Sequence, residues 1–411
     1  MSNYSEVSFI KELIEISRFY GSNPEYTLAG GGNTSFKDDE NLFVKASGAS
    51  LAQASADSFV KMDRRALSSI WDKKYSDSND EREKEVLADL MAARNESGIS
   101  AGAVKSADTA AGSKRPSVEA LLHDIIRYSF IVHLHPAIVN GLCCSKNGEK
   151  TAKEIFGCDI LWIPSANPGY ILSRLVKTAL AEYYAKHKKN ASVILLENHG
   201  IFIGADTKEA VIKIYDEVME KISAKIKRKP DFSDELRVTG EKFPQSSNHR
   251  TESSRFSKDA EEEKIKGILQ TFRELAGFSG FIISNEIAAY IKNRESFYPV
   301  SSSFTPDHIV YSGSEPLFTE ADTPEAVRGE WEKHTQETGR NPKIIAVKDL
   351  GVFSAAASEK AAGFALDLFK DTIKVAVYSE NFGGPLFMKK DKIDFINNWE
   401  VERFRSSVST K

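Results

Sequence analysis

Two stretches of this chain carry the same succession of structural signals. Residues 193–222 read VILLENHGIFIGADTKEAVIKIYDEVMEKI, and residues 344–373 read IIAVKDLGVFSAAASEKAAGFALDLFKDTI. Each is an apolar run, a turn with glycine, a second apolar run, a small-residue loop and an amphipathic helix opening at an acidic residue. Gly200 aligns with Gly351 and Phe202 with Phe353 without a gap, whereas His199 aligns with Leu350. Strand–turn–strand–helix units bury their apolar strands in a sheet covered by helices, so an α/β fold follows. The match reads either as a true duplication or as the likeness any two such units share.

At 411 residues the chain exceeds one ordinary core. The expected division is an α/β domain over 1–229, a polar linker or excursion over 230–263, and a second α/β domain over 264–411 without the ligand set described below. Within the first domain, helical spacing predicts helices over 7–20, 59–72, 81–96, 170–188 and 207–227. RPSVEALLHDIIRYS also has a helical period, with Pro116 and Ser117 placed to begin it. Short apolar runs at 130–134 (FIVHL), 158–163, 192–197 and 201–204 predict strands. The small, polar stretch 97–113 reads as a loop.

His133 and His135 stand at the end of FIVHL, where alternation puts both rings on one face. Two imidazoles on one side can share a metal, and a third ligand must come from elsewhere. His199, in the turn Glu197-Asn198-His199-Gly200, is the candidate. The same histidines are also compatible with ordinary core or surface positions. Glu119, ahead of the FIVHL strand, is a candidate acid/base, or a carboxylate complementing a helix dipole. His123, four residues on, is either its neighbour in function or a packed ring.

Gly30-Gly31-Gly32-Asn33-Thr34-Ser35 offers free backbone N–H groups and small hydroxyls that favour an anion. Ser47-Gly48, preceded by Lys45, and Ser117 at a helix start are further anion candidates. Each alone is a common turn, and their value depends on convergence. His308 has no comparable set around it in the sequence.

In order, GGGNTS (30–35), KASG (45–48), RPSVE (115–119), HLHP (133–136) and ENHG (197–200) resemble the class II aldolase/adducin family, over roughly residues 8–225. The resemblance implies a class II aldolase-like α/β/α sandwich with a second α/β unit readable as a degenerate copy. It makes His133, His135 and His199 zinc ligands (another divalent metal would also suit) and Glu119 the catalytic acid/base. Gly32 and Asn33, Ser47 and Gly48, and Ser117 become the phosphate contacts. Val118 stands where many members have a second hydroxyl residue. The implied reaction is zinc-dependent cleavage of a ketose 1-phosphate, such as rhamnulose 1-phosphate, through a metal-stabilised enediolate. Alternatives are a sugar-phosphate epimerase, decarboxylase or dehydratase at the same site, or a non-catalytic adducin-like scaffold. A homotetramer is implied, with a further tyrosine from a neighbouring subunit that the sequence does not place.

TPDHIVYSGSEPLF (305–318), LGVFSAA (350–356) and NNWEVERFR (398–405) further resemble the aldolase part of bifunctional rhamnulose-1-phosphate aldolase/alcohol dehydrogenase proteins. Their G-x-x-x-G-x-G nucleotide loop is missing from this sequence, so hydride transfer is not expected.

Bulk properties narrow the field without deciding it. A formal net charge of -4 makes nucleic acid a poor partner. The N-terminus has acidic residues at helical spacing rather than a signal-peptide pattern, and no apolar run suits a bilayer, so a cytoplasmic protein with no membrane partner is expected. Cys143, Cys144 and Cys158 are too few for a disulfide framework and are expected as buried packing residues.

Overall fold

The computed structural model describes residues 6–95, 114–239 and 258–410. The expected loop at 97–113 lies outside the described residues. Two compact units emerge. The first takes in Met1–Cys143, Asn147–Lys225 and Asn398–Ser409; the second takes in Cys144–Lys146, Ile226–Asn397 and Thr410–Lys411.

The first unit is built on a seven-stranded sheet in the order β3-β2-β1-β4-β7-β6-β5. Its strands are β1 (Asn33–Lys37), β2 (Asn41–Lys45), β3 (Phe59–Asp63), β4 (Phe130–Leu134), β5 (Ile160–Ile163), β6 (Val193–Leu196) and β7 (Gly200–Ala205). All pairings are antiparallel except β5 with β6. Helices Ala120–Ile125 and Tyr170–His187 bury Leu122, Leu172 and Val176 against Ile131, Ile194, Leu196 and Phe202 of one sheet face. Behind the other face lies helix Lys208–Ser223, whose Tyr215 hydroxyl donates to the Val132 carbonyl at 3.2 Å.

The second unit holds five strands: β8 (Leu236–Thr239), β9 (Phe278–Ile283), β10 (Leu317–Thr319), β11 (Ile344–Val347) and β12 (Gly351–Ala356). Their order is β10-β11-β12-β9-β8, with β10 and β11 parallel and every other pair antiparallel. That is the order, pairing and direction of β5-β6-β7-β4-β1. The β6–β7 turn has Asn198 at φ +58°, and the β11–β12 turn has Asp349 at φ +57°. A helix capped by Thr207 follows β7, and one capped by Ser358 follows β12. Agreement in pairing, turn and cap together is what a degenerate copy requires. The register extends it to the ligands. His133 faces Phe202 across β4–β7, and Phe281 faces Phe353 across β9–β12. Phe281, Ile283 and Leu350 therefore occupy the places of His133, His135 and His199, and the second unit has three apolar side chains where the first has three imidazoles.

The structure corrects several expectations. Residues 59–63 are a strand, not the start of a helix over 59–72. Val60 and Met62 pack inward and the segment pairs along β2, with the helix starting at Arg64. Helix Ala120–Ile125 starts later than Pro116, which instead forms a bridge with Ala46. The stretch 230–263 is not a linker throughout. Residues 236–239 form the edge strand β8, and helix Lys258–Ala276 begins inside it. Residues 398–409 belong to the first unit, not to the second as expected. Cys143 and Cys144 are buried, but Cys158 is exposed in the turn before β5. His308 has a partner the sequence did not reveal: within the second unit its Nε2 lies 3.0 Å from Asp371 Oδ2.

Candidate metal and acid–base site

Alternation along β4 puts Ile131 and His133 on one face, and His135 follows just past the strand. The Phe202 ring stacks on His133, with centroids 3.9 Å apart and planes 11° from parallel. His133 Nδ1 sits 3.0 Å from the Ile201 carbonyl oxygen. A carbonyl only accepts, so Nδ1 carries the proton and Nε2 keeps a lone pair. His135 Nε2 lies 2.9 Å from His133 Nε2.

His199 comes from the β6–β7 turn. Asn198 adopts the left-handed conformation, which asparagine tolerates better than most residues. Its N–H donates to the Cys143 carbonyl, and the His199 N–H donates to Leu196. At Gly200 a Cβ would lie 2.6 Å from both His135 Cδ2 and the Leu134 carbonyl oxygen. Only glycine lets β7 begin this close to β4, and that approach brings the His199 ring alongside the other two. One ligand nitrogen from each ring lies within 4.8 Å of the others, a group that could hold a metal ion. Three imidazoles, one with its tautomer set by a backbone carbonyl, fit a zinc-type cation that keeps one position open.

Glu119 stands at the N-cap of Ala120–Ile125 but does not cap that helix with its side chain. Its Oε1 lies 3.3 Å from His133 Nε2 and 3.5 Å from His199 Nε2. Oε2 accepts from Asn33 Nδ2 at 2.6 Å. Oε1 is buried and has no hydrogen-bond partner among the described residues. Burial alone would raise this carboxyl. The surrounding rings of His133, His199 and His135 overcome that and hold it well below the usual carboxylate range.

His123 packs against Phe202, the ring that stacks on His133. Its Nδ1 is 2.7 Å from Ser35 Oγ, and its ring packs edge-on against Phe202. Burial pushes its pKa down to about 3, so the ring is neutral at ordinary pH. Lys37, on the same strand as Ser35, donates through Nζ to the His123 carbonyl, and burial lowers its pKa to about 7.

The structure places the anion candidates as follows. Gly32, at φ +73°, leads directly into Asn33 and β1. Ser47 donates its N–H to the Arg115 carbonyl, while Ser117 Oγ accepts the Glu119 N–H at 3.2 Å. The KASG and RPSVE segments are thus hydrogen-bonded neighbours, and RPSVE runs into the carboxylate. A feature missed by the sequence reading covers them: helix Glu400–Ser409. Arg115 Nη1 donates to both Glu400 carboxylate oxygens, and its guanidinium lies 4.1 Å from the Phe404 ring centroid. Gly48 has φ +80°, and a Cβ there would lie 2.7 Å from Val408 Cβ. No local signal in residues 398–409 announces this return; only the apolar Phe404 and Val408 hinted at a surface to cover.

The family model described as the class II aldolase and adducin N-terminal domain matches residues 11–222, just over half of the chain. The chain belongs to the class II aldolase/adducin family. Over 361 residues it is 24% identical to the uncharacterized oxidoreductase YuxG of Bacillus subtilis (strain 168), covering 82% of this chain and 44% of that protein. The chain thus spans under half the length of that curated relative. Among solved structures it is similar to the N-terminal class II aldolase domain of a conserved Thermoplasma acidophilum protein. That likeness has 23% identity and a TM-score of 0.42, over 55% of this chain and 96% of the other. YgbL from Klebsiella pneumoniae is similar at 18% identity and a TM-score of 0.36, over 54% of this chain and 90% of its own. Among the described residues, no helix of this class II aldolase family member is long and apolar enough to cross a membrane.

Proposed function

We propose that this chain is a zinc-dependent aldolase that cleaves a ketose 1-phosphate, such as rhamnulose 1-phosphate, between C3 and C4. The observation that carries the reading is Glu119 Oε1, buried and within 3.5 Å of two ring nitrogens of the histidine group. The histidine rings keep this buried carboxyl charged, and a carboxylate held ionised beside a three-imidazole group suits an acid–base role next to a bound cation. His133, His135 and His199 would hold a divalent cation, which would supply a Lewis acid for a substrate carbonyl.

The chain's own residues account for the proton. In the condensation direction, Glu119 Oε1 as the carboxylate removes a carbon-bound proton from dihydroxyacetone phosphate. In cleavage the C3–C4 electron pair stays with the three-carbon fragment, the C4 hydroxyl proton is lost as the aldehyde forms, and Glu119 delivers to C3 a proton it has taken up from solvent. The base for the hydroxyl proton is the tyrosine expected from a neighbouring subunit. We assign Gly32, Asn33, Ser47, Gly48 and Ser117 to the phosphate. A second reading rests on Val118, which stands where many members have a second hydroxyl residue. With fewer hydroxyls for a phosphate, the same base and metal would suit epimerisation, decarboxylation or dehydration of a related substrate.

The test is to incubate the zinc-loaded protein with rhamnulose 1-phosphate and with fuculose 1-phosphate, and to assay dihydroxyacetone phosphate. Release from one, abolished by Glu119→Gln, is the expected result. Release from neither in a zinc-replete sample refutes the aldolase reading.

A further inference from the structure

We infer that Arg115 is a phosphate-binding side chain that Glu400 restrains: the guanidinium exchanges the carboxylate for the phosphate when substrate arrives. The inference rests on the reading of this end of the site as the phosphate end. The five residues assigned there, Gly32, Asn33, Ser47, Gly48 and Ser117, are all uncharged. The group they would receive carries roughly two negative charges at neutral pH. Arg115 stands among them. Its carbonyl accepts the Ser47 N–H at 2.9 Å, and Ser117 follows two positions on.

The Arg115 side chain runs from this cluster to helix Glu400–Ser409, which belongs to the same unit. Nη1 donates to both Glu400 oxygens, at 2.9 and 3.0 Å, and the guanidinium lies over the Phe404 ring. Among the described residues, Nε and Nη2 make no hydrogen bond. Val408 stands four residues beyond Phe404 on the same helix face, and it fills the space where a Gly48 side chain would begin. The guanidinium and Gly48 are therefore about 6 Å apart along that helix, a gap that one phosphate bridges with hydrogen bonds at both ends.

Three features make the hold of Glu400 releasable. Both side chains are partly in water, Arg115 29% and Glu400 50% exposed, and a pair so placed binds weakly. Glu400 lies in the first turn of its helix, where backbone N–H groups favour a carboxylate with or without the arginine. Contact through Nη1 alone also leaves open the Nε–Nη2 edge, a two-nitrogen fork that matches a phosphate. Glu400 then competes with the phosphate for one guanidinium, by charge and by hydrogen bonds.

Calorimetric titration with inorganic phosphate tests this in the full chain, with metal content matched across variants so that binding at the metal is common to all. Arg115→Ala should weaken phosphate binding roughly 10-fold or more. Glu400→Gln keeps the shape and removes the competing charge, and it should tighten binding roughly two- to fivefold. That gain should vanish when both changes are combined. A pair that only fastens the helix predicts no gain in Glu400→Gln, or a loss alongside that of Arg115→Ala, and either result overturns the inference. So does Arg115→Ala binding within about twofold of wild type, or a gain that survives without Arg115. Circular dichroism checks the fold, and if Arg115→Ala unfolds, the sign of the Glu400→Gln effect decides alone. No turnover enters the measurement, so a failure to release dihydroxyacetone phosphate strikes the aldolase reading without touching Arg115. A chain that binds no phosphate overturns the inference and leaves the metal and Glu119 as they stand.

Discussion

Gly200→Ala tests whether the β6–β7 turn is what assembles the three histidines. The new Cβ would lie 2.6 Å from the Leu134 carbonyl oxygen and from His135 Cδ2. Ordinary contact begins near 3.5 Å, so one partner must retreat by roughly 0.9 Å. The carbonyl belongs to the central strand β4 and cannot retreat alone; His135 and the start of β7 must move. Overpacking of this kind costs about 1–3 kcal/mol, a drop of roughly 3–10 °C in Tm for a unit of this size. The effect on the metal should be larger in proportion, because displacing rings by that much ruins a three-nitrogen site. We expect zinc affinity to fall about 10- to 100-fold. Competition with a chromogenic chelator measures the affinity, and calorimetry of the metal-free protein measures the stability. Wild-type zinc affinity in a variant that has lost stability would refute the argument that Gly200 brings His199 to the other ligands.

Replacing His199 by Ala should abolish stoichiometric zinc binding while leaving the metal-free fold intact, as read by elemental analysis and circular dichroism. Leu350→His should leave the stoichiometry at one zinc per chain, because Phe281 and Ile283 hold the other two places; a second bound zinc would contradict the β9–β12 register. Stability should rise with pH between about 7 and 10.5. Burial depresses Lys37 to about 7 and Lys343 to about 8, so over that window the unfolded state binds protons the folded state has released. Urea midpoints at pH 7 and pH 9.5 check the sign, which Lys37→Met should weaken. Phe404→Ala removes the ring beneath Arg115 and should cost on the order of 1 kcal/mol. Thermal unfolding measures it, and no change would mean that helix Glu400–Ser409 contributes little to the first unit.

Some of this protein was determined by the sequence alone. FIVHL becomes a strand at residues 130–134 because a short apolar run with a period of two buries well in a sheet, and that period alone sets His133 and His135 on one face. ENHG makes a turn because asparagine and glycine accept backbone conformations that most residues resist. The repeated strand–turn–strand–helix pattern pointed to a second α/β unit, since each unit must bury the same kind of apolar strands, while the strand order came from the structure. Other features were decided only by tertiary structure. FVKMD at 59–63 is too short for its period to separate strand from helix, and pairing along β2 settles it. LRVT at 236–239 becomes strand β8 only because β9 offers a free edge. The Asn33–Glu119 bond joins residues 86 positions apart, and the Arg115–Glu400 pair joins residues 285 apart. Contacts so distant leave no periodic trace in the chain. They depend on which surfaces remain open once the sheets have closed, and in this protein the first of them engages the carboxylate on which the proposed chemistry depends.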